Sequence, residues 1–323
     1  MSDAEPAVTV VIVTRNRASR LAAALRALRA QTLPRSAFEV VVVDDGSTDA
    51  TPKVLSAEAA EDVLDLRPVR RSEAGGAALA RNDGWQAARG RLVAFTDDDC
   101  TPLPGWLEAG LSAWDENPER FVQGMTTPAP DEMDAMGPFS YSYDLRWLAH
   151  EAPTCNIFYP GALLERLGGF DVDAFIGWGE DTDLAWRARA LGAEPVYEEQ
   201  AHVHHAVVTV GPAVFLRRCW SQGDAVWLLA RHPALRRARL HYRVFWNPWQ
   251  AWLLMLLVAL ALPGRRWAWP LKVWLARPYL KARLPHPRHH RASLGALLWF
   301  MLADAVEMAG SIRGGVRYRT FVL

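Results

Sequence analysis

Three uninterrupted apolar runs, each emptying into a polar loop, constrain this chain more than any other feature. Val8 to Val13 leads into Thr14-Arg15-Asn16-Arg17, Glu39 to Val43 into Asp44-Asp45-Gly46-Ser47-Thr48, and Arg91 to Thr96 into Asp97-Asp98-Asp99. Successive side chains of a strand point to opposite faces, so a run of valines without alternation describes a strand buried on both sides, as in a parallel sheet covered by helices. Between the first two runs, Leu21, Leu25 and Leu28 recur at helical spacing. Strand, polar loop, helix, strand, polar loop is a βαβ unit. Its polar residues collect at the strand C-termini, the edge at which open α/β sheets bind ligands.

The chemistry of those loops is specific. Adjacent carboxylates repel one another and are costly to desolvate, and a hard divalent cation held through oxygen relieves both costs. For Asp97-Asp98-Asp99 a metal-bound diphosphate is therefore the natural guest, with an acidic loop or helix cap before Pro102 as the plainer alternative. Asp45 can accept from a base N–H, with Asp44 assisting, or the DDGS segment is an Asx turn and cap. Gly75-Gly76 precede a helix expected from about Ala77 to Ala88, with Arg81 and Asn82 one turn in. Glycine permits close backbone approach, a helix N-terminus favours negative charge, and Arg81 can reach a base or a diphosphate.

Further along, Ala201-His-Val-His-His205 reads as extended, with Val203 and His205 on one face and His202 and His204 on the other. The histidines are either metal ligands or a surface cluster. Glu180-Asp181 follow Gly177-Trp178-Gly179 and open a helix expected over Thr182 to Leu191, where an acid is also stabilised by the helix dipole. Trp178 offers a face for a sugar ring to stack on, or a core anchor.

In order, the segments VTVVIVTRNRA, EVVVVDDGSTDAT, GGAALARNDGWQAARG and RLVAFTDDDCTP resemble the signature blocks of family 2 glycosyltransferases of the GT-A fold. A fifth, LLERLGGFDVDAFIGWGEDTDLAWRARALGA, is similar to the family's acceptor-side half and to the GWG-ED motif of galactosyltransferase-like relatives. The resemblance covers roughly residues 7 to 215 and implies a Rossmann-like, mostly parallel sheet flanked by helices. It implies a metal-dependent, inverting transfer of a sugar from a nucleotide diphosphate, UDP first and dTDP or GDP next, to a hydroxyl. Carried over residue by residue, it assigns Thr14, Arg15, Asp44, Asp45, Gly76 and Arg81 to the nucleotide-sugar. Asp97 and Asp98 face the ribose or metal waters, while Asp99 and His205 hold Mg²⁺ or Mn²⁺. Asp181 becomes the base, Glu180 orients it or binds acceptor hydroxyls, and Asn156, Trp178 and Gly179 lie at the sugar or acceptor. Gly168-Gly169-Phe170-Asp171 becomes a turn that floors the site. The first loop departs from the family, reading TRNR where members often carry PTYNR, which bears on the base contacts.

The formal net charge of zero hides an asymmetry. Residues 1–216 carry 18 Lys and Arg against 33 Asp and Glu, whereas residues 217–323 carry 18 against 3. The basic part also holds Trp246, Trp249, Trp252, Trp267, Trp269, Trp274 and Trp299, a composition suited to an anionic bilayer surface rather than to nucleic acid, since Trp249 to Leu262 is too apolar for a groove-binding face. That run has 14 residues between Pro248 and Pro263, short of the ~20 that span a bilayer. Leu294 to Ile312 is long enough but carries Asp304 and Glu307, which makes it amphipathic. A GT-A domain over residues 1–215 and a helical, interfacially attached region over 216–323 are expected; buried core helices or a dimer interface are the alternative for the latter.

The N-terminal MSDAEP lacks a secretion signal, so the expected location is cytoplasmic, peripheral or monotopic on the inner face of the cell membrane. Cys100, Cys155 and Cys219 lack metal-ligand spacing and read as reduced thiols. A lipid-linked or cell-envelope glycan is the acceptor that the basic region suggests. Other readings are a polyprenyl-phosphate sugar synthase and a non-catalytic scaffold. A sugar-phosphate nucleotidyltransferase shares the α/β architecture, but this sequence has no Gly-rich, Arg-containing loop with a following Lys directly after the first strand.

Overall fold

A computed structural model describes residues 5–137, 139–173, 179–283 and 294–322. The first apolar run forms β1 (Val8–Thr14), followed by α1 (Ala18–Arg29); the second forms β2 (Phe38–Asp44), followed by α2 (Thr51–Glu61) and β3 (Leu66–Arg70). Helix α3 (Ala77–Gln86) then leads into the third run, β4 (Leu92–Asp97). Strand β1 pairs in parallel with β2 and with β4, and β2 with β3. The chain thus runs outward from β1 to β3 and returns on the other side of β1. Such a reversal opens a crevice at the strand C-termini, and Thr14, Asp44 and Asp97 are the last residues of β1, β2 and β4.

The sheet continues through β5 (Cys100–Pro102), α4 (Trp106–Trp114) and β6 (Arg120–Pro128). After a short β7 (Ser140–Tyr141) come β8 (Asn156–Pro160), α5 (Gly161–Leu167), α6 (Glu180–Ala190) and β9 (Glu194–His205). Eight strands stand in the order β3-β2-β1-β4-β8-β6-β9-β5. Strand β8 runs antiparallel to β4 and β6, and β5 antiparallel to β9.

Both faces are covered, as the valine runs require. Val10, Ile12, Val40, Val42 and Ala94 pack with Leu21, Leu25 and Leu28 of α1. Val11, Val41, Val43 and Phe95 pack on the other face with Ala78 and Ala80 of α3, Leu163 of α5 and Leu184 of α6. Full burial of each such side chain stabilises by about 1.5–3 kcal/mol. Helix α3 lies close on the sheet because residue 84 is glycine: a Cβ there would stand 2.4 Å from Val11 Cγ1. This closeness carries Arg81 to the strand ends.

The chain forms two compact units. The described parts of residues 5–132, 142–173 and 179–207 make the first, and those of 133–141 and 208–322 belong to the second. In the second, β7 pairs with β10 (Val208–Thr209) and is followed by α7 (Pro212–Ser221), α8 (Val226–Arg231), α9 (Pro233–Arg239), α10 (Pro248–Ala261), α11 (Trp269–Arg283) and α12 (Leu294–Arg317). Helix α10 opens with a capping box, in which the Asn247 N–H donates to Gln250 Oε1 at 2.9 Å. Gly310 and Gly314 let α12 lie backbone to backbone on the turn after α7, since a Cβ on Gly314 would meet the Gly223 carbonyl at 2.0 Å.

Among the described residues no helix is long and apolar enough to cross a membrane. The amphipathicity expected of residues 294–312 is present but inverted. Asp304 and Glu307 face inward, 2% and 8% exposed, while Leu298 (57%) and Leu302 (47%) face outward. The acids are tolerated because each is bonded: Tyr279 Oη donates to Asp304 at 2.6 Å, Arg283 Nε to the same carboxylate at 3.1 Å, and Asn247 Nδ2 to Glu307 at 2.5 Å.

Candidate active site

The acidic triplet begins where β4 ends. Asp98 is buried and turned toward β1: Thr14 Oγ1 donates to it at 2.7 Å and Arg17 Nη1 at 2.9 Å. Burial pushes its carboxyl up to about 6 against the opposing pull of Arg17 and Thr14. Asp99 receives the same Arg17 nitrogen at 2.9 Å and lies 3.6 Å from His205 Nε2. The β5–β9 ladder makes that approach, because Cys100 pairs directly with His205.

His205 is oriented from behind. Its Nδ1 stands 2.8 Å from the Ala206 carbonyl, which can only accept, so Nδ1 carries a proton and Nε2 is the ring nitrogen on the Asp99 side. Ser142 Oγ is 3.2 Å from the same Nδ1, and the Tyr143 ring packs edge-on at 5.0 Å. Asp99, Cys100 and His205 offer ligand atoms within 4.8 Å of one another. Burial raises the Cys100 thiol well above its ordinary value, so it stays protonated and is the poorest donor of the three. His202 and His204 share the opposite face, as alternation requires, and both meet Thr127 Oγ1, at 2.8 and 3.0 Å.

A second acidic pair lies at the N-terminus of α6. Buried Arg81 joins it to the triplet, with Nη1 donating to Glu180 Oε1 at 2.6 Å and Nη2 to Asp97 Oδ1 at 3.2 Å. Asp181 is half-buried, and its carboxyl is pushed up to about 7, first by desolvation and then by the neighbouring Glu180 charge, with Arg81 opposing. Below Arg81 the Phe170 ring lies 5.8 Å from the guanidinium carbon. Phe170 is held by Asn82, whose Oδ1 accepts from its N–H and whose Nδ2 donates to its carbonyl, each at 2.8 Å. Gly169 leaves room for this turn: φ is +71°, and a Cβ would stand 2.4 Å from Asn82 Oδ1.

Residues 9–160, from β1 to the end of β8, match the profile of glycosyl transferase family 2. Over these residues, just under half of the chain, it is similar to family 2 glycosyltransferases. Similar proteins include the glycosyltransferase AglE of Haloferax volcanii, 31% identical over 60% of this chain and 64% of that protein. The pre-mycofactocin glycosyltransferase of Mycobacterium tuberculosis is 33% identical over 70% of this chain and 48% of that one. The chain thus spans from about half to just under two thirds of these relatives. Its fold matches the mannosyltransferase PcManGT of Pyrobaculum calidifontis, solved with GDP-Man and Mn²⁺, at a TM-score of 0.60 and 24% identity over 96% of this chain and 87% of that one. It also matches TarS 1-349 of S. aureus, solved with UDP-GlcNAc, at 0.54 and 19% over 97% and 91%. These likenesses support the GT-A fold.

Within this domain, the structure sorts the residues singled out from sequence. It gathers Thr14, Asp97, Asp98, Asp99 and His205 at the crevice, with Arg81, Glu180 and Asp181 alongside. Asp44 and Asp45 exchange the emphasis given them. Both Asp45 oxygens are engaged by the backbone, Oδ1 by Gly75 N–H at 2.8 Å and Oδ2 by Gly76 N–H at 3.0 Å, which fixes the glycine loop. Asp44 uses Oδ1 for an Asx turn to Ser47 N–H at 2.8 Å, while its buried Oδ2 has no hydrogen-bond partner. Gly76 caps α3 at φ +88° and Gly179 caps α6 at φ +108°, conformations natural to glycine.

Asn156 needs correction. Its amide is buried inside the sheet, donating to the Met125 carbonyl at 2.7 Å and the Ala201 carbonyl at 2.8 Å and accepting from Trp106 Nε1 at 2.8 Å. It braces the sheet and has no amide proton left for a sugar. Arg15 is exposed, and the arginine that grips the triplet is Arg17, two residues on. Sequence reasoning missed Arg17 because loop geometry alone decides which arginine of TRNR turns inward. Trp178 lies outside the described residues.

Proposed function

We propose that this chain is a metal-dependent, inverting glycosyltransferase that moves a sugar from a nucleotide diphosphate donor to a hydroxyl. The orientation of His205 carries the reading: with Nδ1–H bound to the Ala206 carbonyl, Nε2 is left to share a cation with Asp99. One carboxylate and one imidazole suit Mg²⁺ or Mn²⁺, which complete their shells with water and substrate phosphate, and the imidazole tilts the choice toward Mn²⁺. When bound, the cation stabilises charge developing on the departing diphosphate.

The chain's own residues carry the rest. Asp44 Oδ2, which has no hydrogen bond within the protein and only Arg70 Nε at 3.9 Å, accepts from a nucleobase N–H, and the loop that Asp45 holds at Gly75-Gly76 lets the donor approach the backbone. Arg17 counters the triplet's charge. Asp181, with its carboxyl near 7, takes the acceptor's hydroxyl proton as that oxygen attacks the anomeric carbon from the face opposite the diphosphate. One displacement inverts the configuration. Glu180, anchored by Arg81, keeps the base in place. A polyprenyl-phosphate acceptor would need no such base, so the raised Asp181 favours a hydroxyl. The basic, tryptophan-rich second unit suits peripheral attachment to the cytoplasmic face of a membrane and a lipid-linked glycan acceptor.

Binding of UDP, dTDP and GDP with and without Mn²⁺, to wild type and Asp99→Ala, tests the donor site. Metal-dependent binding of one nucleotide, lost in the variant, is the expected result. Binding of none would overturn the proposal.

A further inference from the structure

The second unit carries an apolar groove of about 1080 Å³ between α10, α11 and α12. It exceeds the roughly 300–1,000 Å³ of small-ligand pockets. Helix α11 forms one wall with Trp269, Val273, Ala276 and Leu280, spaced by four, three and four residues and therefore on one helical stripe. Lys272 flanks that stripe on one side and Arg277 and Lys281 on the other, and all three line the groove. Leu260 and Leu298 complete it from α10 and α12, 64% and 57% exposed.

The charge around the groove is not balanced from within the region. Residues 217–323 contain three acids, and each is engaged elsewhere: Asp224 with Arg313 at 2.6 Å, Asp304 with Arg283 and Tyr279, and Glu307 with Asn247. Hydrocarbon along the stripe and negative charge at its flanks together complement this lining. Resting on the membrane attachment proposed above, we infer that the groove binds the hydrocarbon chain of a single anionic phospholipid, its phosphate seated on the flank of Arg277 and Lys281, with Lys272 adding positive charge from the opposite flank. The polarity of α12, with acids inward and leucines outward, fits an apolar surround.

Native mass spectrometry of the full chain after incubation with phosphatidylglycerol or phosphatidylcholine reads the groove, and flotation with vesicles of either lipid reads the surface. Wild type is expected to retain one phosphatidylglycerol and to float with vesicles containing it. Ala276→Trp, which fills the groove, is expected to lose the retained lipid yet still float. Lys272→Ala/Arg277→Ala/Lys281→Ala is expected to lose roughly 100-fold in preference for phosphatidylglycerol, taking about a fivefold effect per cation. No retention by wild type, equal retention by Ala276→Trp, or an unchanged lipid preference in the triple variant overturns the groove assignment. Failure of wild type to float overturns the membrane reading beneath it, and a preserved thermal transition excludes unfolding as the cause.

Discussion

Both units bury carboxylates, and they do so to opposite ends. In the first unit the acids stand at the rim of a sheet whose interior is valine, leucine and phenylalanine, and one of them, Asp44, keeps an oxygen without a hydrogen bond. In the second, Asp304 and Glu307 lie inside, bonded to Tyr279, Arg283 and Asn247, while Trp269, Val273 and Trp274 face outward. A buried acid with a raised carboxyl is therefore no marker of chemistry by itself. Placement at a strand end, an oxygen left without a hydrogen bond and a neighbouring side chain of another ligand type distinguish the site from the brace.

The sharpest way to break this comparison is to neutralise one acid of each kind. Asp181→Asn should lower turnover by about 10²–10⁴-fold, the range for a lost general base, with nucleotide affinity nearly unchanged. In wild type the turnover should rise as pH climbs through about 7, where Asp181 becomes able to accept a proton; a flat profile from mildly acidic to mildly alkaline pH would remove it from that role. Glu307→Gln, by contrast, should leave turnover alone. A comparable loss there would erase the distinction between site and brace.

The next effect is smaller. Arg17→Ala should weaken nucleotide binding or its metal dependence by roughly ten-fold, the scale of a lost charge-assisted contact of about 1.5 kcal/mol, whereas Arg15→Ala should do neither. Calorimetric titration of the two variants side by side sharpens the assignment of the first loop.

The smallest concerns stability. Burial pushes Glu307 up to about 7, so the folded protein holds a proton that the unfolded chain releases near 4.5. Its contribution therefore makes stability fall as pH rises from about 4.5 through about 7, by at most ~3 kcal/mol. Glu307→Gln should flatten that fall. Thermal unfolding at pH 5 and pH 8, in wild type and variant, checks the sign.

Much of the first unit was legible before any coordinates. Uninterrupted valine predicts strands covered on both faces, and period-two alternation correctly separates His205 from His202 and His204. What the sequence withheld depends on partners far along the chain. Asp45 is engaged by glycines 30 and 31 positions away, and Arg81 bridges residues 16 and 99 positions away. Asn156 looked like a sugar contact only until its amide was seen between two carbonyls. In the second unit, composition gave basic, aromatic helices, but the inward turn of Asp304 and Glu307 required knowing where Tyr279, Arg283 and Asn247 stand.

Arg81 has one further consequence. Its guanidinium is shared between Asp97, on the side assigned to the donor, and Glu180, beside the residue assigned to the acceptor. A donor that engages Asp97 alters the hold on Arg81, and Arg81 passes that change to the helix start that carries the base. The two substrates are then not strangers to one another. Addition in a fixed order, donor before acceptor, with little wasteful hydrolysis of donor alone, is the kinetic signature that this single shared cation writes.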